Sequence, residues 1–332
     1  MIRNSNIELC RIISMVMVIL LHSSYSANGW PHELDSTTAY LSFIESFSII
    51  AVNVFVLITG YFSTSLKKKS LFNFLFIVVF YGILKVCYQL ITGVFKYSSL
   101  LIITNQNWFV LCYLCLVLLS PIINEWIKHS DKKQLIIQII LLFSLQTITD
   151  FIPGIGGIFN KGCSPLSFIN IYLLGRYVYI YKCSEIFVKY SWVIYIFSSL
   201  LLFIGCIVIL YYRLPQIALF HWLYYSNPII VVGALSFFLM FEKMKARNNK
   251  VINHIALSCL AVLLLHVPLS APMWSSMKSF YQFILSENNN IFMISTLWIA
   301  GILVIFISSI AIDQIRIVLW RNIEKRIYKV AL

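Results

Sequence analysis

From residue 7 to residue 320 the chain is a succession of long apolar runs separated by short polar breaks. A helix needs roughly 20 apolar residues to cross a ~30 Å hydrocarbon core. The first run, Ile7–Ala27, predicts one such span. Further runs predict spans at Tyr40–Phe62, Leu71–Ile91, Trp108–Ile127, Gln134–Thr149, Leu166–Tyr181, Tyr190–Tyr211, Leu219–Phe241, Val251–Pro272 and Ile291–Ile312. The fifth and sixth are short for a bilayer. The pattern predicts an all-α polytopic integral membrane protein of about ten transmembrane helices. It forms one domain over residues 1–332, with no soluble domain.

Ile7–Ala27 comes after Arg3 and ends in small residues, as a secretory signal does, but Glu8 and Arg11 interrupt its start. The rest of the chain is hydrophobic, unlike a secreted domain, so the run is read as an uncleaved first span. An even number of spans puts both termini on one side, and the charges say which. Arg3, Lys67–Lys69, Lys128, Lys132, Lys133, Lys182, Lys189, Lys243, Lys245, Arg247, Lys250 and the tail Arg316, Arg321, Lys325, Arg326 and Lys329 share one set of span ends. Lys96, Lys161, Arg213 and Lys278 share the other. The bias is about four to one, so the expectation is a cell-membrane protein with both termini cytoplasmic. The outer loop near Asp150–Pro165 carries the Gly/Pro cluster FIPGIGG, a turn signal.

Composition agrees. AVILMFWYC residues make up 60% of the 332 and charged residues 11%, far from a soluble enzyme, a disordered chain or a disulfide scaffold. The net charge of +13 reads as headgroup contact and topology bias, and no basic tail suggests nucleic acid. Most of the eight cysteines lie in apolar runs. Cys112-x-x-Cys115 sits mid-helix with no second ligand pair, so no metal site is expected. Walker A, HExxH and GxSxG patterns are absent.

Ionisable residues inside a membrane are costly and therefore candidates for function. They are Glu8, Arg11, His22, Glu45, Lys85, Arg176 and His266. Arg11 and His22 are eleven residues apart, hence within about 20° in azimuth and ~16.5 Å along one helix. Glu8, three residues before Arg11, is placed to pair with it. A face carrying a cation at one end and an imidazole at the other predicts a wet cavity rather than lipid. The plain alternative has Arg11 snorkelling to the inner headgroups and His22 bonded to interfacial water.

Arg11-x(10)-His22, set in RNSNIELCRIISMVMVILLH, resembles the opening of the membrane-bound acyltransferase-3 family, integral-membrane O-acyltransferases of bacterial surface polysaccharides. VNVFVLITGYF (Val52–Phe62), WFVLCYLCLVLLSPIIN (Trp108–Asn124) and IALSCLAVLLLHVPL (Ile255–Leu269), which ends in His-x-Pro, resemble later family spans in order. The resemblance implies transfer of an acyl group, acetyl above all, from cytoplasmic acyl-CoA to a hydroxyl of a surface or exported glycan or lipid-linked saccharide. Acetyl-CoA is then a donor substrate, and no cofactor is bound permanently. The family's paired Arg and His correspond to Arg11 and His22.

Neutral His22 suits a general base for a sugar hydroxyl, worth about 10²–10⁴-fold, or a transient covalent acyl carrier. Arg11 stays protonated and suits donor binding or the orientation of Glu8. His266, at about the depth of His22, suits acceptor binding or proton transfer, or is a packed core histidine. Glu45 either pairs with His22 or is a water-exposed interfacial carboxylate. Lys67, Lys68, Lys69 and Arg176 are candidate contacts for the CoA phosphates. Lys67–Ser70 stands where many family members carry Arg-x-x-Arg, and lysine lacks the planar arginine fork. Asn53 is expected to hydrogen-bond between helices, and Trp222 is a candidate for sugar stacking. The rival readings are a transporter or flippase for a lipid-linked sugar and a glycan polymerase. A transporter would often show inverted repeats, and a polymerase would favour a large charged outer loop.

Overall fold

The computed structural model describes residues 4–95, 97–100, 108–152, 157–267, 273–287 and 290–329. Arg3, Lys96, residues 153–156 of the Gly/Pro cluster and residues 268–272, with the proline of His-x-Pro, lie outside the described residues. Among the described residues the regular structure is helical, without strands.

The first span is α1 (Ser5–Ser23) continued by the single turn α2 (Tyr25–Asn28). The Asn4 side chain caps α1 by accepting from the Asn6 amide. The second span is α3 (Ser36–Ser48) and α4 (Ala51–Phe62), nearly continuous and the most enclosed in the bundle. A capping box between Asp35 and Thr38 starts it. Next come α5 (Lys68–Ile91), α6 (Trp108–His129) and α7 (Lys132–Phe151), the last opened by an Asp131–Gln134 capping box. Ser164 caps α8 (Pro165–Tyr181), which has proline in its first turn. The short α9 (Glu185–Lys189) leads into α10 (Ser191–Tyr211).

Every predicted span meets helix, but two are broken. The eighth is split into α11 (Gln216–Trp222) and α12 (Pro228–Glu242). The ninth is split into α13 (Lys250–Ile255), a 3-10 turn and α14 (Cys259–His266). An amphipathic helix that the apolar runs did not predict, α15 (Trp274–Glu287), buries Trp274, Met277, Tyr281 and Ile284 at helical spacing. Finally α16 (Ile291–Lys329) runs 39 residues, about 58 Å at 1.5 Å per residue. It overruns the predicted end at Ile312. Among the described residues seven helical stretches are long and apolar enough to cross a membrane, and α8, α12 and residues 250–266 are shorter.

Among the described residues the contacts between span ends keep to the two sets separated by charge. At one end Ser5 and Asn6 bond to Met244, Lys245, Arg247 and Asn249. Tyr61 and Lys182 bond to Glu242 there, Asn124 donates to the Thr64 carbonyl, and Lys69 pairs with Glu324. At the other end Gln216 donates to the Trp30 carbonyl, Arg213 pairs with Glu33, and Gln282 donates to the Ala27 carbonyl.

α1 lies at the centre, touching α2, α3, α4, α12, α13, α14, α15 and α16. Beside it α4 and α8 approach closely through small residues. A Cβ at Gly60 would lie 2.3 Å from the Tyr172 carbonyl oxygen, and one at Gly175 would lie 2.5 Å from that of Leu57. Between lipid-embedded helices such close packing is a main source of cohesion, since lipid removes the hydrophobic drive.

Candidate functional site

Arg11, Met15, Val18 and His22 are spaced four, three and four residues apart, so α1 presents them on one face. That face borders a cavity of about 340 Å³. Across it stand Val52, Phe55 and Thr59 of α4, Asn73 and Phe74 of α5, and the start of α6 from Trp108 to Tyr113. Ala256, Leu257, Cys259, Leu260, Leu263 and Val267, and Tyr225 from the break between α11 and α12, complete the lining. Helix direction orders the depth. Arg11, Thr59, Asn73 and Ala256 lie toward the charge-rich end of the bundle, and His22, Trp108, Tyr225 and Val267 toward the other. One cavity therefore holds a guanidinium near one end and an imidazole near the other.

Arg11 is half-buried and donates to the buried carboxylate of Glu8. The pair neutralises two charges that burial would otherwise penalise by several kcal/mol each. It holds the guanidinium at the cavity wall.

His22 lines the cavity and is half-buried, and its Nδ1 is buried with no protein partner. Its ring centroid is 5.0 Å from that of His266, with 53° between planes. His266 is fully buried, and its Nδ1 lies 2.5 Å from the Val262 carbonyl oxygen. A carbonyl only accepts, so Nδ1 carries the proton and Nε2 of a neutral ring has a free lone pair. That Nε2 also has no protein partner. Two buried ring nitrogens without a hydrogen-bond partner thus sit on histidines in ring contact.

The remaining candidates fall elsewhere. Glu45 is buried on α3 beside Ser24 and Tyr25, not exposed at a wet interface. Among the described residues no hydrogen bond or ion pair links it to His22. Lys67, Lys68 and Lys69 are exposed at the start of α5, whose Asn73 and Phe74 line the cavity one turn further on. Arg176 donates to the Tyr61 carbonyl at 3.1 Å and lies over the Tyr179 ring, on a helix that contributes nothing to the cavity lining.

The family model described as an acyltransferase domain matches residues 4–313. The chain belongs to the acyltransferase-3 family. No curated protein and no solved structure matches it significantly. The match runs from the cap of α1 into the middle of α16 and includes Arg11, His22 and His266. This acyltransferase is a multi-pass membrane protein, and an acyl donor and the bilayer are its partners in general terms.

Several features of this acyltransferase escaped the sequence. Arg316, grouped with the tail charges, is 4% exposed and donates twice to Asp313, which is fully buried. The Tyr81 hydroxyl of α5 donates to the same carboxylate at 2.7 Å. Asp313 lies one residue past the predicted tenth span, so it read as the start of a solvated tail. Trp222 is not free for a ligand, because its Nε1 donates to the Leu202 carbonyl and its ring covers Gly205. Cys112 donates its thiol to the Cys163 carbonyl, a packing role.

Proposed function

We propose that the protein is an O-acyltransferase of the cell membrane that moves an acyl group, acetyl above all, from acyl-CoA to a hydroxyl of a surface or exported glycan. The observation that carries this reading is the single cavity with Arg11 near its charge-rich end and His22 near its opposite end. By the positive-inside rule the charge-rich end is cytoplasmic, so both termini are cytoplasmic and the donor arrives there. Lys67, Lys68 and Lys69 offer point charges to the CoA phosphates beside that mouth. Arg176 is a weaker candidate, since Tyr61 and Tyr179 already engage it.

Arg11 binds the polar part of the donor arm, held in place by Glu8. The thioester then reaches toward His22 through an apolar passage lined by Met15, Val18, Phe55 and Leu263. In the direct route neutral His22 takes the proton of the acceptor hydroxyl. The hydroxyl oxygen attacks the thioester carbonyl carbon, the C–S bond breaks, and the thiolate takes the proton back from His22. In the covalent route a ring nitrogen of His22 attacks the thioester carbonyl carbon, and the C–S bond breaks to release the thiolate. The acceptor hydroxyl then attacks the acyl carbon, the N–C bond breaks to return neutral His22, and the hydroxyl proton passes to the thiolate. The buried, apolar surroundings of His22 suit either route, because they keep competing water away from the thioester.

The test is the O-acetyl content of the host's surface polysaccharide, read by NMR in a deletion strain. Complementation with wild type restores it, and complementation with His22→Ala does not, at equal protein level in the membrane. Unchanged acetylation on deletion, with altered glycan amount or chain length, would overturn the transferase reading in favour of a flippase or polymerase.

A further inference from the structure

The break in the eighth span has a specific geometry. Leu223, Tyr224, Ser226 and Asn227 are buried although their backbone is not helical. Non-helical backbone at membrane depth survives where it is buried in protein or lines a cavity. Here side chains and a close glycine contact hold the backbone, although the buried Ser226 hydroxyl has no hydrogen-bond partner. The Asn53 side chain donates to the Tyr225 carbonyl at 3.0 Å, so the expected inter-helix role of Asn53 is the fixing of this break. Asn227 donates to the Trp222 carbonyl and accepts from the Ile229 amide, closing α11 and opening α12. Gly162, at φ +88°, lets the outer loop press on the same segment, since a Cβ there would lie 2.5 Å from that of Tyr225.

The product of this support is the position of one ring. Tyr225 lines the cavity in the half that holds His22, and its centroid is 5.9 Å from that of Trp108, with 35° between planes. Phe109 continues the wall, and Phe168 backs both Trp108 and Phe109 from the buried side. The polar groups Arg11, Thr59 and Asn73 line the half toward the charge-rich end, together with Phe74. Phe74 contacts Tyr113, which stacks on Phe109, so an aromatic wall runs from there into the half that holds His22, where Trp108 and Tyr225 lie. An aromatic face carries negative quadrupole potential and attracts weakly positive C–H edges. A pyranose ring offers such C–H groups on its face and hydroxyls on its rim.

We infer that Trp108 and Tyr225 form the acceptor subsite, a platform on which one pyranose residue of the glycan stacks with a rim hydroxyl turned to His22. The inference rests on the glycan-acceptor reading above. It places acceptor binding on the broken span and donor binding on the α1 and α5 side, so the two substrates meet at His22.

The experiment uses the full-length protein in nanodiscs, radiolabelled acetyl-CoA, and host surface glycan stripped of its acetyl groups by mild alkali. Tyr225→Ala and Trp108→Ala raise the glycan concentration for half-maximal rate by about 10-fold, the loss of one stacking contact. The half-saturating acetyl-CoA concentration stays within about twofold. Tyr225→Phe and Trp108→Phe keep the aromatic face and stay near wild type. A shift confined to acetyl-CoA, or no shift in either alanine variant, would overturn the platform. Should the alanine variants not fold, the glycan-induced change in tryptophan fluorescence decides. It is lost in Trp108→Phe if the platform is correct, and its persistence there, or its absence in wild type, rejects it. A wild-type protein that hydrolyses acetyl-CoA but labels no glycan removes the acceptor reading itself, and the platform with it.

Discussion

His22 and Arg11 were visible in the sequence because eleven residues is close to three helical turns, and both line one cavity. At Arg11 the position of charge matters as well as its sign, since the guanidinium both pairs with Glu8 and faces the cavity. Arg11→Lys is expected to retain part of the activity and to raise the half-saturating acetyl-CoA concentration. Arg11→Ala should lose both, as read by initial rates on membranes of matched protein content. His266→Phe keeps a ring of similar size but removes the free Nε2 beside His22. It is expected to lower the maximal rate by about 10²-fold while leaving both half-saturating concentrations near wild type, the signature of proton handling. Unchanged turnover would make His266 a packing residue. Glu45 shows where sequence reasoning ran out at this scale. Its depth was legible, but its pocket beside Ser24 and Tyr25 depends on where the break between α1 and α2 falls against α3, which no local pattern encodes.

Among the elements, the α4–α8 contact depends on Gly60 and Gly175, whose missing Cβ atoms let the backbones touch. Gly60→Ala is expected to cost about 1–3 kcal/mol through overpacking, read as a lower melting temperature in detergent. The contact between α5 and α16 rests on a different device, the Tyr81–Asp313–Arg316 network. Asp313→Asn leaves the Arg316 charge buried without its counter-ion, and about 3–5 kcal/mol of stability should be lost. Thermal unfolding and membrane yield report it, and a variant as stable as wild type would show that the pair contributes little. The capping boxes of α3 and α7 were written into the sequence as Asp-x-x-Thr and Asp-x-x-Gln. The break at Leu223–Asn227 was written there too, as Ser226-Asn227-Pro228, an N-cap followed by proline, while the break at Ala256–Ser258 was not, because an apolar run gives no local sign of where its helix stops.

For the whole molecule, the charge bias separated two sets of loops, and the contacts among span ends keep those sets apart. Orientation in the cell is then an expectation with a direct test. With the exposed Cys87 replaced by Ser, Lys245→Cys should react with a membrane-impermeant maleimide only after the cells are opened. Arg213→Cys should react in intact cells, and the reverse pattern would invert the topology and the side from which the donor arrives. α16 extends well past a ~30 Å core, and the Lys69–Glu324 pair ties its basic part to the start of α5.

By itself the sequence determined the class of molecule, the rough position of each span, the family, and the alignment of Arg11 with His22. The family came from the resemblance carried by four ordered motif stretches, and the rest from composition and helical period, which are local. The tertiary structure alone decided that the face of α1 opens on a cavity, that the His266 and His22 ring centroids stand 5.0 Å apart, and that Trp108 and Tyr225 touch in its wall. It also decided that Asp313 and Arg316 are buried. Each of these joins residues tens to hundreds of positions apart or depends on a neighbouring helix. In a chain so uniformly apolar, hydrophobicity does not say which face of a helix meets protein and which meets lipid. That choice falls to close packing and to the few polar groups that must find partners.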